Sequence, residues 1–302
     1  MRILLGRGSL NMNNSMKYTA LLLLSAALTG VSGSVMKFGY SDVPPLLFLT
    51  YRFFFGFVVL VLVFHKKIWK NFKRSDLRPI AIISFFMAFG FVLFTLGLKY
   101  TTATNATFFY SLTVLMIPFL AYLINGSKFN KGIFVGILIA VAGMYLLIMN
   151  QGTFQINLGD LLSLLSALVF AFHVVFTGKF VSKVNPMALS VVQLFMVMVF
   201  VFLVSILIGE ELSPPVYPAR VWFTFLFTGI AGTAVFTLVQ TVAQIHVKES
   251  TVGMVYATIP MFTAFSAWFV LGETLSLTGK IGCGLITLGI ILAARMNKSV
   301  EA

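Results

Sequence analysis

The run MALSVVQLFMVMVFVFLVSILI, residues 187–208, holds no Asp, Glu, Lys or Arg. A bilayer core of ~30 Å takes about 20 helical residues. One run of this length and polarity is the pattern of a membrane span, and its neighbours repeat the pattern. Further apolar blocks lie at 18–38, 46–64, 80–98, 103–124, 132–149, 161–181, 221–243, 252–271 and 278–294. Short connections join them, among them Asp42-Val43-Pro44-Pro45, Asn185-Pro186 and Ser213-Pro214-Pro215. The blocks are continuous and lack the alternation of barrel strands, which argues against a membrane β-barrel. The expected fold is therefore all-α, an integral membrane protein of ten transmembrane helices.

Composition agrees. Of 302 residues, 59% are apolar, 15% aromatic and 10% charged, and the mean hydropathy is +1.01. A soluble globule carries about 25% charged residues, so a cytosolic enzyme and a DNA-binding protein are both excluded. Disorder needs low hydrophobicity and is excluded too. Cys283 stands alone, which leaves no disulfide framework or cysteine-built metal site. Its expected role is that of a small apolar packing residue. The first block, with Lys17, a leucine run and small residues, has the look of a signal peptide. It is long enough to span and nine blocks follow, so it reads as a helix that stays. Residues 1–16 read as a cytoplasmic tail in which Met1, Met12 and Met16 are all possible starts.

The net charge of +13 is a topology signal. With the N-terminus inside, about 16 of the 21 Lys and Arg fall on the cytoplasmic side and about 4 outside, with Arg52 inside a span. Both termini are expected in the cytoplasm. The basic loop from His65 to Arg78 belongs to this bias, and no nucleic-acid partner is expected.

A shift of 146 residues aligns parts of the two halves without gaps. Gly126 meets Gly272, Gly136 meets Gly282, Gly143 meets Gly289, Tyr110 meets Tyr256, Phe119 meets Phe265 and Ala121 meets Ala267. Five spans per half is an odd number, so the two repeats are inverted in the bilayer. Inverted repeats mark secondary transporters with a site near the midplane. The expected division is 17–149 and 159–295 for the two repeats, 150–158 for the connection and 296–302 for a cytoplasmic C-terminal tail.

The chain resembles the drug/metabolite transporter superfamily, of the EamA type. The resemblance rests on Leu271-Gly272-Glu273-Thr274, Thr258-Ile259-Pro260 and the stretch Gly282 to Gly289 in the second half. In the first half it rests on Lys99-Tyr100-Thr101-Thr102-Ala103-Thr104-Asn105-Ala106, Ser111-Leu112-Thr113 and Arg52 after Pro44-Pro45. It spans about residues 17 to 295. Two departures stand out: Gly126-Ser127 where Gly-Glu is common, and Val114 where a proline is common, with Pro118 a turn later. The resemblance implies an inner-membrane carrier that exports amino acids or other small metabolites. It also implies a central cavity lined by the first, third, fourth, sixth, eighth and ninth spans.

Polar groups inside a membrane usually face a cavity or the bundle interior. His173 lies about 12 residues into its span, ~18 Å at 1.5 Å per residue, near the midplane. It either lines the cavity or bonds to a backbone carbonyl in a helix interface. Asn105, Tyr110 and Ser111 on the fourth span, with Tyr256 and Thr258 on the ninth, are the other candidate substrate contacts. A tyrosine offers an apolar face and a hydroxyl, which suits an amphipathic solute. The alternative for both tyrosines is packing. Arg52 either snorkels or meets a substrate carboxylate, and the structural role is favoured because the second span is peripheral in the family. Gln240 and Gln244 read as gate or bundle contacts. Gly132, Gly136, Gly282 and Gly289 suit close helix approach within the chain or in a homodimer, while Gly30, Gly33, Gly229 and Gly232 suit bending.

An intramembrane enzyme needs paired acids, a metal cluster or a nucleophile with its base. All eight acids fall in tails, loops or span ends. No catalytic residue, metal or cofactor is assigned. The expected function is secondary transport of a small metabolite across the cytoplasmic membrane, with a channel or structural membrane protein as the alternative. Missing nucleotide-binding sequence excludes an ATP-driven pump unless a partner supplies it.

Overall fold

The structure is a computed structural model. It describes residues 12–37, 39, 42–101, 103–127, 131–148, 157–212, 216–272 and 276–301. Most of the N-terminal tail, the core of the connection between halves, Thr102, Ser213-Pro214-Pro215 and Glu273-Thr274 lie outside the described residues. Among those described, all regular structure is helical. In order it comprises α1 (Met12–Met36), α2 (Pro45–Asn71), α3 (Leu77–Gly97), α4 (Ala103–Ser111), α5 (Thr113–Asn125), α6 (Lys131–Ile148) and α7 (Leu158–Phe180). There follow α8 (Pro186–Leu207), α9 (Ala219–Gly229), a π-helical segment (Ile230–Val235), α10 (Phe236–Ala243), α11 (Glu249–Tyr256), α12 (Ile259–Leu271) and α13 (Leu277–Glu301).

Eight stretches are long and apolar enough to cross a membrane, with α4–α5, α9–α10 and α11–α12 each counting as one. Two shorter apolar helices, Gly132–Leu146 and Leu277–Ala293, lie over two further apolar blocks of the sequence. Three of the blocks differ in detail: 103–124, 221–243 and 252–271 are interrupted helices. The second block continues as helix past its apolar run to Asn71. Nothing in Lys66, Lys67 or Lys70 breaks a helix, since lysine is a good helix former.

Helix ends follow local chemistry. Pro45 opens α2, where its missing N–H costs nothing. The Glu210 carboxylate, from the far end of α8, accepts from the next two amides, Leu46 N at 3.0 Å and Leu47 N at 2.9 Å. Asn185 caps α8 through Met187 N at 2.9 Å, and Asn157 with Asp160 forms a capping box on α7. Both α5 and α12 stop at a left-handed glycine, Gly126 at φ 64° and Gly272 at φ 68°.

The packing order follows the small residues. Helices α6 and α13 run antiparallel, with Gly136 against Gly289 and Gly143 against Gly282. A Cβ at Gly136 would meet the Gly289 carbonyl oxygen at 2.5 Å and Ala293 Cβ at 2.7 Å. The glycines singled out for close approach are thus spent inside the chain. Helices α3 and α7 are also antiparallel: Gly97 faces Gly159, and Ser166 donates to the Gly90 carbonyl at 2.8 Å. Helix α1 runs alongside α12 in the same direction, with Gly30 against Phe262 and Ser34 bonded to Ser266 at 2.6 Å. The Gly30–Gly33 stretch is therefore a contact and α1 is unbroken there. Outward faces carry apolar side chains such as Leu62 and Phe269, as lipid contact requires.

Candidate functional site

Two spans break at corresponding places. The span α4–α5 breaks at Leu112 and α11–α12 breaks at Ala257–Thr258, the same register offset that relates the halves. In the second half the cause is covalent. Pro260 has no N–H and its ring crowds the carbonyl four residues back, at Tyr256. The first half has Val114 there, and the break forms anyway. Hydroxyl groups take over carbonyls at both: Thr113 Oγ1 donates to the Tyr110 carbonyl at 2.5 Å, and Thr258 Oγ1 to the Val255 carbonyl at 2.6 Å. Thr258 is buried and used in this way. Ser111 Oγ likewise donates to the Thr107 carbonyl at 2.7 Å.

The break positions Tyr110 at the end of α4 and Tyr256 at the end of α11. Both rings are largely buried and keep some accessible surface. Phe94 and Phe170 frame Tyr110 at 5.1 Å between ring centroids, and Phe236 lies at 5.3 Å from Tyr256. Asn105 is half-buried toward the other end of α4.

Arg52 enters the same region from α2. Its Nε donates to Thr233 Oγ1 at 2.6 Å and its Nη2 to the Gly232 carbonyl at 3.1 Å. Both acceptors belong to the π-helical segment. Widening a helix turn to i→i+5 bonding displaces carbonyls from their usual partners, and such turns recur at functional sites. Gly229 and Gly232, expected to permit bending, are close contacts here, Gly229 against Phe55 and Gly232 against Ser32. Arg52 is mostly buried and keeps some accessible surface. Its contacts join α2 to the π-helical segment, the kind of contact the structural reading of Arg52 expects.

His173 sits elsewhere in the same wall. It is 3% exposed. Its Nδ1 lies 3.2 Å from the Ile83 carbonyl on α3, and its Nε2 lies 3.4 Å from Gln240 Nε2 on α10. Gln240 Nε2 also donates to Gln244 Oε1 at 3.1 Å, and Gln244 Nε2 to the Val174 carbonyl at 2.9 Å. The Phe170 ring, 4.8 Å from Phe91 and 6.4 Å from His173, stands between the histidine and Tyr110. The structure therefore packs the Phe170 ring against both Tyr110 and His173 and ties Arg52 to the π-helical segment.

Buried acids close the ends of the bundle. Glu249, 1% exposed, accepts from Asn125 Nδ2 at 2.9 Å, and Gly178 leaves room for its carboxyl. At the other end Asp160, also 1% exposed, accepts from Thr101 Oγ1 at 2.5 Å. Each contact ties the first half of the chain to the second.

Known proteins share this plan. The profile of the EamA-like transporter family matches residues 16–149 and again 157–295. An uncharacterized transporter of Archaeoglobus fulgidus is 29% identical over 275 residues, 90% of this chain and 84% of that protein. The uncharacterized transporter YyaM of Bacillus subtilis is 25% identical over 91% of this chain and 92% of its own length. A crystal structure covers 96% of this chain and 99% of its own, with a TM-score of 0.79 at 18% identity, which establishes likeness of fold.

Proposed function

The chain belongs to the EamA-like transporter family, and on that premise we propose that it is a secondary carrier working by alternating access. It is a multi-pass membrane transporter of the drug/metabolite superfamily. In our reading it exports small amphipathic metabolites, amino acids or related compounds, across the cytoplasmic membrane, with both termini inside. Its two halves form five-helix inverted repeats around a midplane site between Tyr110 and Tyr256. Asn105 lies along the path, Ser111 and Thr258 shape the breaks, and His173 supports the wall through Phe170.

The carrying observation is the pair of spans broken in corresponding positions of the two halves. Broken helices flank transporter sites because unwound backbone is tolerated at membrane depth only where it is buried in protein or lines a cavity. The glycine contacts add support. Under the 146-residue register the Gly136–Gly289 pair exchanges with Gly143–Gly282, as a half-turn in the membrane plane requires.

Single cysteines test this directly, because Cys283 is the one native thiol. In a Cys283→Ser background, Tyr110→Cys and Tyr256→Cys are expected to react with an impermeant maleimide from both faces of the membrane. Substrate should shift the balance between faces. Labelling from one face alone, unmoved by any solute, contradicts alternating access.

A further inference from the structure

The start of α3 and the turn after α7 meet at one end of the bundle, and between them lies an open cleft of about 430 Å³. Its wall has two chemistries. Arg78 and Lys183 are exposed cations, and among the described residues neither is paired with a carboxylate. Ser75 adds an exposed hydroxyl. The rest is mainly apolar: Pro79, Ile82 and Phe180 are half-buried and Val184 is buried. The acid in the wall, Asp76, is 5% exposed, and its carboxylate accepts from the Lys73 amide at 3.3 Å in the turn before α3. Both cations stand at span ends, Arg78 near the start of Arg74–Gly97 and Lys183 just past the end of Leu158–Phe180.

The apolar wall continues into the membrane. Ile82 and Phe86 lie one turn apart on α3, and Phe180, Phe176 and Phe172 lie at one-turn intervals on α7. The α7 rings stack in sequence at 6.1 Å between centroids, and Phe86 stacks on Phe172 at 5.3 Å and on Phe176 at 5.2 Å. All four rings are half-buried, so the α3–α7 seam presents a ridge of partly exposed aromatic surface. From Phe180 to Phe172 it descends about 12 Å at 1.5 Å per residue.

We propose that this cleft is a binding site for an anionic phospholipid, its phosphate between Arg78 and Lys183 and an acyl chain along the phenylalanine ridge. A guanidinium matches two phosphate oxygens at once. Basic pockets between transmembrane helices recognise anionic headgroups. A soluble phosphate uses the cations and leaves the apolar wall and the ridge without a partner. A zwitterionic lipid uses the ridge but brings its own cation beside Arg78 and Lys183. An anionic lipid satisfies both chemistries. Because α3 lies in the first family match and α7 in the second, a lipid seated here links the two halves.

Photolabelling locates the site on the natural protein, so no variant has to fold. The purified full-length protein is placed in phosphatidylethanolamine liposomes with a trace of phosphatidylglycerol carrying a diazirine on its acyl chain. Peptide mapping is expected to find adducts within residues 82–86 and 172–184, and unlabelled phosphatidylglycerol should abolish them. Adducts spread over all lipid-facing helices, or an equal yield at this seam from the same probe with an ethanolamine headgroup, overturn the assignment. Affinity is read by native mass spectrometry during titration with phosphatidylglycerol. Arg78→Gln combined with Lys183→Gln is expected to weaken binding about 30-fold, the attraction of two cations near a lipid surface. Lys17→Gln combined with Lys66→Gln removes equal charge outside the cleft and is expected to leave binding unchanged. Equal losses in the two pairs mean diffuse attraction and overturn the site. Displacement of the lipid by an equal concentration of inorganic phosphate overturns it in favour of a soluble anion.

Discussion

His173 shows how a direction can be read from hydrogen bonds. The Ile83 carbonyl only accepts, so Nδ1 carries the proton, and the Val174 carbonyl fixes Gln244 as donor. Gln244 Oε1 must then accept from Gln240, whose amide is left to donate to His173 Nε2. A second proton on the ring would point N–H at N–H unless both glutamines turned, and turning Gln244 loses Val174. We therefore expect the ratio of transport rates at pH 6 and pH 8 to be the same for the natural protein and for His173→Gln in proteoliposomes. A pH response lost in His173→Gln would make the histidine a proton carrier. Gln240→Leu should lower the stability of the purified protein by about 1–3 kcal/mol, the cost of leaving a buried acceptor unmatched, read from its denaturation midpoint. An unchanged midpoint would mean the network bears no load. That His173 bonds to a backbone carbonyl in a helix interface was one of the two readings the sequence left open. Its partners were not legible, because they come from α3 and α10, whose rotation about their own axes no one-dimensional pattern fixes.

At the scale of helices, glycine decides which pairs approach. Gly136 and Gly289 lie in the α6–α13 seam, whereas Gly284 on the same α13 helix has open space around it. Gly136→Val should therefore destabilise by roughly 1–3 kcal/mol as an overpacked contact, and Gly284→Val should leave the thermal midpoint unchanged in the same detergent. Equal effects from both would place the seam elsewhere. The 146-residue register singles out Gly136, Gly143, Gly282 and Gly289 from the sequence. The same register held the clue to the broken spans: Pro260 in one half predicts a break near Tyr256. Val114 hides the matching break in the other half, because there tertiary packing and the Thr113 hydroxyl replace the proline. The π-helical segment had weaker warning, since Gly229 and Gly232 permit a distortion without specifying its kind.

For the whole molecule, the long apolar blocks made the helical membrane plan legible in the sequence. Which helices touch was beyond them, because apolar residues lie on every face of most spans and composition does not say which face meets which neighbour. Reporter fusions after Lys298 are expected to be active in the cytoplasm and silent outside, and the opposite result would reverse the orientation. The central claim is that a solute passes between Tyr110 and Tyr256 by alternating access. Counterflow in proteoliposomes tests it most directly, with labelled metabolite outside and excess unlabelled metabolite within. The natural protein should show saturable uptake accelerated by internal solute. Tyr110→Ala and Tyr256→Ala should each raise the half-saturating concentration by about 10-fold or more, as losing a buried aromatic face implies. Uptake that rises linearly with concentration, takes no acceleration from internal solute and ignores both substitutions would contradict the claim.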